Sequence, residues 1–121
     1  MRNQPKYHLW KNAGYAIEGF FEVFRHETSF KIEVCLSLVV WIALFFVPMP
    51  LTAKAILGLS MLFILIAELA NSAIERTVDL VTKERHTLAK HAKDAGAAMV
   101  LFTVIFTIVV WIVTLYSVYF A

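Results

Sequence analysis

Three long apolar runs, about 32–47, 53–81 and 95–119, leave this chain of 121 residues few ways to fold. A bilayer core is about 30 Å thick, and roughly 20 mostly apolar residues in a helix cross it. The hydrocarbon offers no water to backbone polar groups, so each run has to close its own hydrogen bonds as a helix. Hydrophobic residues make up 60% of the chain and mean hydropathy is +0.73; soluble domains average roughly 45–50% apolar residues. The sequence predicts a single all-α membrane domain spanning residues 1–121.

The remaining segments set its boundaries. Residues 1–5 read as a loose tail ending at Pro5. About 6–25 is an amphipathic helix with Trp10, Ala13, Ile17, Phe20, Phe21 and Phe24 on one stripe, suited to lying in the membrane interface. Thr28 or Ser29 is expected to cap the first spanning helix. Pro48 and Pro50 end it, and Thr52-Ala53-Lys54 completes a turn. The stretch 83–94 reads as a polar connection, with His86 and His91 in solvent. Gly96-Ala97-Ala98 then opens the third span with residues small enough for close helix contact. Cys35, the single cysteine, is expected to serve packing and excludes an intrachain disulfide. The pattern of a cleaved signal peptide is not expected, because a charged segment precedes the first apolar run.

Basic residues orient the spans. Arg2, Lys6, Lys11, Arg25 and Lys31 lie before or at the first run, and Arg76, Lys83, Arg85, Lys90 and Lys93 surround the second connection. The first turn has only Lys54. The positive-inside rule then places the amino terminus and the second connection on the cytoplasmic side.

One octet breaks the apolar pattern. In Glu68-Leu69-Ala70-Asn71-Ser72-Ala73-Ile74-Glu75, the polar residues lie at i, i+3, i+4 and i+7, which is one face of a helix. An ionisable side chain at membrane depth is costly and points to function. Counted at 1.5 Å per residue from Ala53, Glu68 lies roughly 22 Å along the helix and Glu75 roughly 33 Å. Glu68 therefore sits below the far interface and Glu75 at it. Carboxylates there suit Mg²⁺, which is usually held by one or two carboxylates plus substrate phosphates. Lys93 could supply a point charge to phosphate, and the start of the third helix exposed N–H groups. Other motifs fail: Gly14 and Gly19 have P-loop spacing, but Phe20 and Phe21 follow where lysine and a hydroxyl are needed.

The octet, with Asp79 and Ala92-Lys93-Asp94-Ala95-Gly96-Ala97-Ala98, resembles the bacterial membrane diacylglycerol kinase family, as do the Ala13-Gly14-Tyr15 segment and the Glu27 junction. The resemblance implies a surface helix plus three transmembrane helices, a homotrimer with shared sites, and MgATP-dependent phosphorylation of diacylglycerol at the bacterial inner membrane. It implies Glu68 as general base with Asn71 beside it, and Glu27 and Glu75 as Mg²⁺ ligands. ATP contacts would come from His8, Tyr15, Glu27, Glu75, Glu84, Arg85, His86, Lys93 and Asp94. Lipid contacts would come from Asn12, Ala13, Phe21, Phe24, Phe30 and Glu33, with Glu68, Ala97 and Trp111. His8 and Arg85 depart from the arginine and the aromatic of the best-known member. An undecaprenol kinase is the nearest alternative. A small proton-coupled transporter using Glu68 is the alternative of another class, but a transporter needs polar groups recurring across the bilayer, and here they cluster at one end. A purely structural subunit would leave the clustered carboxylates without a purpose.

Overall fold

The computed structural model describes residues 6–121; the tail expected at 1–5 lies outside the described residues. Four helices follow in order: α1 (Leu9–His26), α2 (Thr28–Phe46), α3 (Leu51–Val81) and α4 (Thr87–Tyr119). The last three are long and apolar enough to cross a membrane. At 1.5 Å per residue, α3 and α4 run about 47 and 50 Å, well beyond a 30 Å core, so both carry their polar ends out of the hydrocarbon.

Several boundaries move from those expected. Thr28 and Ser29 lie inside α2, and Glu27 takes the cap position in extended backbone (φ −120°, ψ 111°) without a side-chain cap. Helix α3 begins at Leu51, so Thr52-Ala53-Lys54 is helix rather than turn. Helix α4 begins at Thr87, which places Lys90, His91, Lys93 and Asp94 on helix rather than in the connection. Lysine is a good helix former, so a polar stretch can extend a helix past its apolar part. Cys35 is exposed on α2 and fills no internal packing position.

Helix α3 is central. It packs along α4 and against α2, while α1 touches α2 and α3; among the described residues α2 and α4 do not pack on each other. Small residues make the α3–α4 approach possible. Ala53, Ser60 and Ala67 on α3, and Gly96 and Thr103 on α4, are buried and recur every seven residues. That is the repeat of a left-handed helix pair with small residues at its seam. Their hydroxyls are satisfied locally: Ser60 donates to the Leu57 carbonyl at 2.6 Å and Thr103 to that of Val100 at 2.7 Å.

The junction of α1 with α2 holds the aromatic core. Phe30 is fully buried against Phe20, with Val23, Val34 and Leu65 around it. Trp10, Ile17 and Phe21 of α1 stay exposed, Trp10 at 78%. Together with the exposed apolar residues of the three long helices, they offer apolar surface of the kind that lipid covers.

Candidate active site

The polar stripe forms as the spacing predicts, and it is graded by depth. Glu68 and Asn71 are half-buried, Ser72 is buried, and Glu75 is exposed. Asn71 Nδ2 donates to Glu75 Oε1 at 3.2 Å, which steers that carboxylate along the helix. Asn71 Oδ1 is buried with no hydrogen-bond partner and faces Gly96 of α4. A Cβ at Gly96 would collide with that oxygen, so glycine is what lets α4 close over Asn71.

Glu27 reaches this stripe because the helix breaks beneath it. Its N–H donates to the Val23 carbonyl at 2.9 Å, and its own carbonyl accepts from Lys31 at 3.2 Å. The side chain is therefore free to cross to α3. Ser72 Oγ donates to Glu27 Oε2 at 2.6 Å, and an Arg76 guanidinium nitrogen lies 3.6 Å from Glu27 Oε1. Arg76 also makes a close ion pair with Glu22 of α1. Deeper in the membrane, the Glu33 carboxyl of α2 neighbours that of Glu68, and Glu33 Oε2 is buried without a hydrogen-bond partner.

Outside the bilayer depth, α3, the connection and α4 enclose an open cleft of about 600 Å³. Glu84, Arg85, His86, Lys93 and Asp94, all implied by the resemblance, line it together with Asp79. Lys93 Nζ donates to Asp79 Oδ1 at 2.7 Å, and Lys90 pairs with Asp94. Lys83, Arg85, Lys90 and Lys93 outnumber Asp79, Glu84 and Asp94, which favours an anionic occupant of this wall. His86 is not a free loop histidine: its Nδ1 accepts from the Leu88 N–H at 3.1 Å and caps α4. Lys93 stands nearly two turns inside α4, so its charge, rather than the helix start, is what faces Asp79.

The structure leaves other expected residues apart. His8 is exposed just before α1 and Tyr15 is half-buried on it; neither lines the cleft. Asn12 is half-buried, and Ala13, Phe21 and Ala97 are exposed. Phe24 packs on the aromatic core, and Phe30 at 0% exposure has no surface to offer a lipid in this arrangement. Trp111 lies eighteen residues beyond Lys93 on α4, roughly 27 Å along the axis, in the opposite half of the membrane. Glu22, Arg76, Asp79 and Gly96 were not singled out from sequence as site residues. Asp79 carried a local signal, at i+4 from Glu75, and Gly96 one of close helix contact; Glu22 and Arg76 carried none.

No group of three or more metal-binding side chains assembles among the described residues. Glu27 and Glu75 instead supply two carboxylates, one anchored to Ser72 and the other steered by Asn71. Carboxylates are the ligand type that suits a hard cation completing its shell with phosphate oxygens and water.

The sequence profile described as prokaryotic diacylglycerol kinase matches residues 14–115. A diacylglycerol kinase of Pseudomonas aeruginosa is 43% identical over 86 residues, covering 71% of this chain and 70% of its own. That of Escherichia coli K12 is 32% identical over 107 residues, 88% of each chain. An undecaprenol kinase of Bacillus subtilis is 37% identical over 102 residues, 84% of this chain and 83% of its own.

Proposed function

The chain belongs to the prokaryotic diacylglycerol kinase family, and from that premise we propose that it transfers the γ-phosphoryl group of ATP to the free hydroxyl of diacylglycerol, giving phosphatidic acid and ADP. It is a lipid kinase of this family, and the transporter reading has no support from family or relatives. The observation that carries the site assignment is continuity: a carboxylate at membrane depth, Glu68, lies on the same helix face as an exposed one, Glu75, and one turn on Asp79 opens into a basic cleft.

In this reading Glu68 accepts the proton of the lipid hydroxyl as its oxygen attacks the γ-phosphorus, and the bond to the β-phosphate oxygen breaks. Glu27 and Glu75 would hold Mg²⁺, which would neutralise phosphate charge. Asn71 keeps Glu75 directed. Lys93 has to exchange Asp79 for a phosphate oxygen, and Glu84, Arg85, His86 and Asp94 border the nucleotide. Phosphoryl transfer asks mostly for positioning and charge neutralisation, and these residues supply both. Glu33, beside Glu68, borders the lipid head group.

The open packing favours a homotrimer with shared sites. One copy cannot surround two substrates while α2 and α4 stay apart and the apolar flanks stay bare. The basic residues before the first span and around the second connection support a cytoplasmic side for the amino terminus and the cleft, and the bacterial family supports the inner membrane as their setting. The undecaprenol kinase match covers 84% of this chain, between the 71% and 88% of the two diacylglycerol kinases, so the lipid hydroxyl is the point to test.

Purified protein in mixed micelles with labelled ATP and Mg²⁺, offered diacylglycerol and undecaprenol separately, should label diacylglycerol. Labelling of neither lipid would sink the kinase reading. Labelling of undecaprenol alone would replace the substrate.

A further inference from the structure

Arg76 belongs to no motif read from the sequence, yet its guanidinium lies between two carboxylates from the α1–α2 side. One nitrogen pairs closely with Glu22 Oε2, and the other lies 3.6 Å from Glu27 Oε1. Ser72 takes the remaining Glu27 oxygen at 2.6 Å. Both oxygens of Glu27 are thus engaged by α3. Of the three charged groups Glu27 is the least exposed, at 26% against 42% for Arg76 and 48% for Glu22.

The Glu27 oxygen not already bonded to Ser72 is the one that faces Arg76, so a divalent cation taking that oxygen meets a second positive group, and the two repel each other. Arginine stays charged at any accessible pH, so it cannot yield by losing a proton. It can yield by moving: its planar fork spans both carboxylates, and Glu22 offers a seat farther into solvent. We infer that Arg76 is a positioning residue, a tethered cation that neutralises Glu27 until the metal arrives, with Glu22 drawing it aside. The inference rests on Glu27 being a Mg²⁺ ligand, as proposed above.

A plain clasp between α1 and α3 makes a different prediction. Loss of either Arg76 or Glu22 would break the clasp, and both losses would act in one direction. A competing cation makes them act in opposite directions. Arg76→Gln removes the competitor and should tighten Mg²⁺ binding. Glu22→Gln leaves Arg76 to Glu27 alone and should weaken it. For partly exposed pairs each shift should be about threefold.

The readout is the rise in Tm of the full-length protein in detergent as MgCl2 is added with a fixed non-hydrolysable ATP analogue, since a ligand that binds the folded state raises Tm. The half-saturating Mg²⁺ concentration should fall for Arg76→Gln and rise for Glu22→Gln. Shifts of the two variants in the same direction, or no shift in either, would overturn the inference. Arg76→Lys keeps the charge and should stay near the unaltered protein; a fall as large as that of Arg76→Gln would overturn the inference, because charge would then not be the cause. Should Arg76→Gln not fold, Glu22→Gln still decides against the unaltered protein, and an unmoved or lowered midpoint overturns the inference. Glu27→Gln separates the two levels. If it titrates like the unaltered protein, the assignment of Glu27 as ligand fails; if it loses the Mg²⁺ response while Arg76→Gln and Glu22→Gln move together, only the role of Arg76 fails.

Discussion

The two ends of α3 carry polar groups of opposite character. Toward its amino-terminal end, Ser60 Oγ accepts from Trp111 Nε1 at 3.0 Å, Thr107 Oγ1 donates to the Ser60 carbonyl at 3.3 Å, and Trp41 Nε1 donates to the Gly58 carbonyl at 3.0 Å. These interhelical groups are neutral, and each named donor has an acceptor; the one charge on this half of α3, Lys54, lies in its first turn and donates to the Phe45 carbonyl at 3.4 Å. Toward the other end, charges cluster, Asn71 Oδ1 and Glu33 Oε2 are buried without partners, and a cleft opens beside Lys93. Neutral, satisfied groups in a membrane fasten helices together, whereas charged and incompletely satisfied ones are kept for another reason. Polarity alone does not separate the two ends; charge and unmet hydrogen-bonding capacity do.

The sharpest way to break this comparison is to remove one polar group at each end. Glu68→Gln should lower phosphoryl transfer by about 10²–10⁴-fold, the usual contribution of a general base. Nucleotide binding, followed by a fluorescent ATP analogue, should persist, and its loss would make Glu68 a ligand instead. Ser60→Ala should leave transfer within about twofold and act on stability, at about 1 kcal/mol for a lost hydrogen bond. A Ser60→Ala enzyme as crippled as Glu68→Gln would erase the distinction between the ends.

Two glycines on opposite sides of the same comparison give a smaller effect of opposite sign. At Gly96 an added Cβ meets Asn71 Oδ1, so Gly96→Ala should destabilise by about 1–3 kcal/mol, as overpacking does, and displace Asn71 from Glu75. At Gly58 the nearest atom, Trp41 Cδ1, is 3.6 Å away, an ordinary contact. Gly58→Ala should therefore raise stability by up to about 1 kcal/mol through helix propensity. Thermal unfolding of both variants in the same detergent decides it; equal shifts would mean that the α3–α4 seam at Gly96 is no tighter than the α2–α3 seam at Gly58.

Much of this was readable from the sequence, and what was not shares one cause. Hydropathy located the three spans, and Leu51–Val81 agrees with 53–81 to within two residues at its start. Helix α4 begins eight residues before the expected Ala95, because Thr87 to Asp94 is helical but charged, and hydropathy registers only the apolar part. The spacing of Glu68, Asn71, Ser72 and Glu75 fixed their common face from a local rule. The contacts that join Ser72 to Glu27, Arg76 to Glu22 and Gly96 to Asn71 follow no such rule. They depend on how α1, α2 and α4 register against α3; Gly96-Ala97-Ala98 pointed to a close helix contact in the sequence but not to Asn71 as its partner.

The smallest effects lie at the fastening end and grade it by depth. Trp111 is half-buried and donates to a buried hydroxyl, so Trp111→Phe loses a bond with no water to replace it. It should cost about 0.6–1.7 kcal/mol, the range for interhelical bonds inside a membrane. Tyr119 OH donates to the Pro48 carbonyl at 2.8 Å, tying the end of α4 to the α2–α3 turn, but Tyr119 is 48% exposed. At the interface water can take over both groups, so Tyr119→Phe should cost less than about 0.5 kcal/mol. Neither variant should change transfer once folded, because both bonds lie in the half of the membrane away from Glu68. If Tyr119→Phe proved the more damaging in thermal unfolding, the turn rather than the Ser60 cluster would be the main fastening, and the balance of stability along α3 would shift to its very end.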